Sequence, residues 1–153
     1  KGVGSDAKDS KNVTCWRPVT KLLVQAGNPC LVVFGGHEGG VNSVRLDACG
    51  KYAYSGGEDG TVRKWHIQSG KCALVMRGHE RWVWSVDVTA DGLAVFSGGD
   101  DKTIRKWDTE IGAELLKLVG HEDEVRCVCV SLDGQTVCSG GLDKTVRLWN
   151  GTT

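Results

Sequence analysis

Charge of one sign is missing from this sequence, and so is any long apolar run. Its 19 basic and 19 acidic residues are interleaved along the whole length and cancel, so no contact of its own with nucleic acid is expected. No stretch approaches the roughly 18 to 20 apolar residues that span a bilayer, and the opening residues KGVGSDAKDSKN lack the apolar centre of a signal peptide. Membrane insertion is therefore not expected, and a chain that begins with Lys reads as trimmed upstream. A paired cysteine framework is lacking too: the seven cysteines, at 15, 30, 49, 72, 127, 129 and 138, include no CxxC pair. An odd count without that spacing argues against both a disulfide scaffold and a zinc site. Cys72, Cys127, Cys129 and Cys138 fall inside apolar alternating segments, where a reduced thiol acts as a small hydrophobe. Reduced thiols point to an intracellular compartment, cytoplasmic or nuclear.

What is present is turn chemistry and repetition. With 22 glycines and one methionine in 153 residues, the composition is that of a soluble, turn-rich globular chain, long enough for one domain. His37, His79 and His121 are spaced by 42 residues, as are Trp65, Trp107 and Trp149. The segments from Gly36 to Trp65, Gly78 to Trp107 and Gly120 to Trp149 align without a gap, giving repeats 36–77, 78–119 and 120–153. A repeat of this length is one supersecondary unit that buries its apolar faces against its neighbours. Within each copy, short apolar runs are separated by turn signals such as Asp91-Gly92 and Asp133-Gly134, which predicts strands near 41–47, 52–57, 61–67 and 72–77, repeated 42 residues later, and three in the last copy. The fold class is all-β, with four-stranded antiparallel blades of a propeller.

Gly-His at the head of each copy and Trp on its third strand resemble the WD-repeat family. The resemblance covers 30–153 and implies a buried hydrogen-bonded set in each blade: His37, Ser55, Asp59 and Trp65; His79, Ser97, Asp101 and Trp107; His121, Ser139, Asp143 and Trp149. The Asp that follows Trp in that family is Asp108 here, with His66 and Asn150 at the other two positions. A turn carboxylate that accepts from the imidazole, and an indole that donates to the Ser hydroxyl, make these sets structural. Ahead of the repeats, 1–18 reads as a flexible leader and 19–153 as the propeller segment. Residues 30–35 read as the outer strand of a preceding blade, and 19–25 as its degenerate third strand with Leu22 in the Trp position.

Catalytic and metal chemistry find no support. Ser, His and Asp recur as interchangeable copies with no G-x-S-x-G elbow, so the chain is read as a non-enzyme without cofactor or metal. The acidic clusters lack an EF-hand ladder, Cys127-x-Cys129 lacks further ligands, and Arg63-Lys64, Arg105-Lys106 and Arg147 read as a repeated exposed strand position. One constellation breaks the repeat: Trp82 and Trp84 stand where the first copy has Gly40 and Asn42 and the third has Glu124 and Arg126. Strand alternation puts both indoles on one side, opposite Val83. The family resemblance places these positions on the partner-binding face, with Glu58, Asp100 and Leu142 beside them. The ordinary alternative is that the indoles cover the next blade. The function read from all this is a non-catalytic protein-interaction scaffold, a subunit of a larger assembly, with a peptide- or modified-tail-reading propeller as the alternative. Three blades leave open apolar edges, so the chain is expected either to be part of a longer propeller or to close a six-bladed ring with a second copy, the former being favoured.

Overall fold

A computed structural model describes residues 30–152; the expected leader and the degenerate strand at 19–25 lie outside the described residues. Eleven strands follow in chain order: β1 (Val41–Leu46), β2 (Tyr52–Gly57), β3 (Thr61–His66), β4 (Lys71–Arg77), β5 (Val83–Val88), β6 (Ala94–Gly99), β7 (Thr103–Asp108), β8 (Glu114–Val119), β9 (Val125–Val130), β10 (Thr136–Gly141) and β11 (Val146–Asn150). They form three antiparallel sheets, β1-β2-β3-β4, β5-β6-β7-β8 and β9-β10-β11, called blades 1 to 3 below. Among the described residues there is no helix. This is a three-blade arc of a propeller that does not close within 30–152.

The tight turns follow from the sequence. Between β2 and β3 the chain needs a residue at positive φ, supplied by Gly60 at +71°, where a missing Cβ removes the steric cost. In the other blades Lys102 and Lys144 take the same conformation at 66° and 65°, held there by the Asp that precedes each. The expected outer strand at 30–35 is not a strand here. It still packs: Phe34 lies with its ring 5.8 Å from that of Trp65.

The core sits between the blades. One buried cluster joins Tyr54, Val62 and Met76 of blade 1 to Val83, Val86, Val95 and Trp107 of blade 2, and a second joins Phe96 and Ile104 of blade 2 to Val125, Val128 and Val137 of blade 3. Burial of Tyr54 pushes its phenol up to about 12, against a smaller opposing pull from Thr109. Inter-blade hydrogen bonds repeat with the sequence: the Val86 N–H donates to Ser43 Oγ and the Val128 N–H to Ser85 Oγ, each at 3.1 Å. Lys64 Nζ reaches the Thr109 carbonyl and Lys106 Nζ the Gly151 carbonyl, each at 2.8 Å.

Two expectations are overturned by burial. Arg63 and Arg105 are buried, because each guanidinium turns inward to a carboxylate described below. Cys72, Cys127 and Cys129 are exposed, and Cys138 is half-buried, because their segments are an outer strand and the uncovered flank of blade 3.

Candidate functional site

Each blade places its His on the entry turn, its Ser on the second strand, its Asp in the following turn and its Trp on the third strand. Trp107 Nε1–H donates to Ser97 Oγ at 2.8 Å, Ser97 Oγ lies 2.7 Å from His79 Nε2, and His79 Nδ1 lies 2.9 Å from Asp101 Oδ1. Blade 1 repeats this with Trp65, Ser55, His37 and Asp59 at 2.8, 2.7 and 2.9 Å. Blade 3 does so with Trp149, Ser139, His121 and Asp143 at 2.7, 2.7 and 2.7 Å. A proton on Nδ1 satisfies every partner: it donates to the carboxylate, and Nε2 accepts the Ser hydroxyl.

Two further contributors in each blade, a Thr and an Arg, were not assigned to the set from the sequence. The Asp101 carboxylate also accepts from the Thr103 hydroxyl at 2.8 Å, the Glu80 N–H at 3.2 Å and Arg105 Nη2 at 3.4 Å. Arg63 and Asp59 are 3.3 Å apart, and Arg147 and Asp143 3.5 Å. The recurring Thr and Arg, two and four residues after each Asp, were the signal available. The position after Trp has a separate task. Asp108 Oδ1 accepts the N–H of Glu110 at 2.7 Å, His66 Nδ1 that of Ser69 at 3.3 Å and Asn150 Oδ1 that of Thr152 at 2.8 Å. Any side-chain acceptor closes that turn, which is why three residue types are tolerated.

Burial alone would raise the Asp101 carboxyl, but the hydrogen bond and charge of His79, the Thr103 hydroxyl and the Glu80 N–H outweigh it and hold it well below the usual carboxylate range. Asp59 is lowered likewise, with Thr61 and His37 outweighing desolvation. A depressed native pKa means the unfolded chain binds more protons in acid. The stabilisation is therefore present above the unfolded value of about 3.9 and is lost as pH falls through the native one. Urea midpoints are expected to be insensitive to these groups above about pH 5 and to decline steadily below it. An Asp101→Asn variant should show a shallower decline; an unchanged acid slope would contradict the assignment.

Above these sets lies the blade-top surface, where six of the nine expected partner-binding positions are joined in three pairs by backbone hydrogen bonds. The carbonyl of Gly40 accepts from the Glu58 N–H at 2.9 Å, that of Trp82 from Asp100 at 2.8 Å and that of Glu124 from Leu142 at 2.9 Å. Asn42, Trp84 and Arg126 each occupy a β-bulge, since register shifts between Val41 and Ser43, between Val83 and Ser85, and opposite Gly140 and Gly141. A bulge re-aims its extra side chain, and simple alternation did not anticipate it. Asn42 Nδ2 donates across to the Val83 carbonyl at 3.0 Å. Arg126 lies flat over Trp84, its Cζ 3.7 Å from the ring centroid, and pairs with Glu124 at 2.5 Å. Trp82 meets Trp84 edge-on at 5.3 Å. Trp84 is thus half-covered by blade 3 and its buried Nε1 has no acceptor, while Trp82 remains 43% exposed. Beside Trp82, a hollow of about 470 Å³ is bounded by Glu58, Glu80, Arg81 and Asp100. Among the described residues no group of three or more His, Cys, Asp or Glu is placed to hold a metal ion.

Blades of this geometry, with a polar set locking each one, define a β-propeller repeat protein. The profile of the WD domain, G-beta repeat family matches three times, over 28–66, 70–108 and 112–150, and the chain belongs to that family. Over 54 residues it is 37% identical to a ribosome biogenesis protein BOP1 homolog of Arabidopsis thaliana, covering 35% of this chain and 7% of that protein. Over 42 residues it is 45% identical to the ribosome biogenesis protein erb1 of Aspergillus niger, covering 28% and 5%. A BOP1 homolog of Oryza sativa subsp. japonica is 41% identical over 54 residues, covering 35% and 8%. The chain thus spans between 5% and 8% of the length of these curated relatives.

Proposed function

We propose that this chain is a non-catalytic protein-interaction scaffold, a subunit of a larger assembly, that engages its partner through the blade-top surface centred on Trp82. The observation that carries this reading is the stack of Trp82, Trp84, Arg126 and Glu124, which breaks a repeat that is otherwise gapless. An exposed indole braced from beneath by a second indole and a guanidinium is a rigid apolar anchor, the kind of residue that dominates interfaces. Gly40, Asn42, Glu58, Asp100 and Leu142 form the surroundings of that anchor. The relatives' names make ribosome biogenesis the first setting in which to seek the partner, with a nuclear location to match.

The test separates anchor from brace. Trp82→Ala removes an exposed side chain and is expected to keep the parent denaturation midpoint while weakening partner capture by about 2 kcal/mol or more, roughly thirtyfold. Trp84→Ala opens the contact with Arg126 and should lower both stability and binding. Undiminished capture by Trp82→Ala in a pull-down with a ribosome-biogenesis subunit that retains the parent chain would overturn the surface assignment. The hollow beside Trp82 favours, as a second reading, recognition of a basic peptide side chain, for which Glu58 and Glu80 supply charge while Asp100 is shared with Arg81 at 3.5 Å. A peptide-array screen in which lysine and arginine peptides bind no better than neutral ones would exclude it.

A further inference from the structure

The end of the blades opposite Trp82, made by the β1–β2, β3–β4, β5–β6 and β7–β8 turns, carries a second departure from the repeat. Asp47, Tyr52, Tyr54, Leu93 and Glu110 stand where the next pair of blades has Thr89, Ala94, Phe96, Gln135 and Thr152. All five line one hollow of about 430 Å³ between blades 1 and 2. The corresponding place between blades 2 and 3 is filled: a Cβ added at Gly134 would lie 3.3 Å from Thr89 Cγ2, and one at Gly151 3.3 Å from Phe96 Cζ. At Gly92, the counterpart of Gly134, an added Cβ would meet nothing within 4 Å. Both interfaces are internal to the arc, so the residues that line them make the difference.

The floor of the hollow is polar and already satisfied. Tyr54, 1% exposed, is hydrogen-bonded to the Thr109 side chain. Lys64 lies 4.0 Å over the Tyr52 ring, with Lys51 at 5.1 Å from the same ring, and donates its Nζ proton to the Thr109 carbonyl at 2.8 Å. The carboxylates of the lining are less engaged. Asp47 and Asp91 each use only Oδ1 in their turns, and among the described residues the Glu110 carboxylate has no partner. Two walls are apolar: Ala73 and Leu74 of β4, and Leu93 of blade 2, which is 66% exposed. Ile111, 71% exposed, sits in the turn that carries Glu110. That turn leans on β4, since a Cβ at Gly112 would lie 3.5 Å from Met76 Cγ and 3.9 Å from Leu74 Cδ2. The first copy has Lys51 and Ser69 in the places of Leu93 and Ile111, so the fold itself does not require apolar residues there.

We propose that this hollow is a second docking site, independent of the Trp82 surface, and that it takes an arginine side chain followed by an apolar residue from a partner protein segment. The lining selects that occupant. A guanidinium on an apolar stem suits carboxylates set around apolar walls: the stem lies between Leu74 and Leu93, and the planar fork bonds two carboxylates at once. A lysine would bring a point charge without the fork, and an apolar side chain alone would desolvate the carboxylates without pairing them. Leu93 and Ile111 cover the apolar neighbour of the arginine.

The test follows amide NMR shifts of the full 153-residue chain during titration with acetyl-Arg-Leu-amide and with its neutral isostere acetyl-citrulline-Leu-amide. The arginine peptide is expected to shift the amides of Leu93, Thr109 and Glu110 saturably, and the citrulline peptide to bind about tenfold more weakly or worse. The double variant Leu93→Gln, Glu110→Thr is expected to keep the parent thermal midpoint, because the next interface folds with those residues, and to bind the arginine peptide about tenfold more weakly. Glu110→Gln, at an exposed side chain, reads the same loss without any change in packing. Trp82→Ala is expected to leave the titration unchanged, which separates failure of this site from failure of the surface around Trp82. No saturable shift with the arginine peptide, equal binding of the two peptides, undiminished binding by Glu110→Gln, or shifts confined to Glu58 and Glu80 would each overturn the proposal.

Discussion

Replacing Asp101 with Ala is expected to destabilise the protein by about 2 to 3 kcal/mol, while Asp91→Ala costs about 1 kcal/mol or less, although both are turn aspartates of the same blade. The difference lies in what each carboxylate holds. Asp101 neutralises a buried guanidinium, that of Arg105 at 3.4 Å, fixes the proton of buried His79 and accepts from the Thr103 hydroxyl. Its loss leaves a buried imidazole without its acceptor and removes one of the two carboxylates that hold Arg105, Glu114 remaining as the other at 2.5 Å, and a buried polar group left without its partner costs about 1 to 3 kcal/mol. Asp91 is exposed; its Oδ1 accepts from the Thr89 hydroxyl at 2.6 Å and the Leu93 N–H at 2.9 Å, and water can replace much of that. Urea midpoints measured side by side decide the matter, and equal midpoints would refute the buried set as the lock of the blade.

An opposite pair of outcomes is expected from one substitution at two equivalent glycines. Gly98→Val places a Cβ 2.7 Å from Val125 Cγ1 and 2.9 Å from Val128 Cγ1. Both neighbours are β-branched, with a single comfortable rotamer on a strand, so relief has to come from separating blades 2 and 3. The cost is that of overpacking a core, about 1 to 3 kcal/mol with this change at the upper end. Gly140→Val meets nothing within 4 Å and, on a strand, gains β-propensity; this variant should fold as well as the parent. Thermal midpoints of the two variants beside the parent check both. A Gly98→Val variant as stable as Gly140→Val would mean that blades 2 and 3 do not press together as described.

The repeat itself was legible in the sequence because each blade solves the same physical problem with the same residues. His79, Ser97, Asp101 and Trp107 recur at fixed offsets since a buried polar set must be satisfied as a whole, so their spacing survives where surrounding residues vary. Strand bounds followed from the Asp-Gly turns and the apolar runs between them, whereas the pairs 40/58, 82/100 and 124/142 came only from the structure, the family resemblance having put those positions on one face. Other features depend on what lies across a blade interface, which no local pattern encodes. Arg63 and Arg105 look like exposed strand cations, yet burial against Asp59 and Asp101 makes them part of the lock. Trp82 and Trp84 look equivalent, but a β-bulge at Trp84 turns it under Arg126 and leaves Trp82 exposed. Gly56, Gly98 and Gly140 are the same residue in the same register; two of them are filled by valines of the next blade and the third is open. Periodicity determined which residues form a blade, and only contact between blades decided which of those residues are core, which are lock and which face outward.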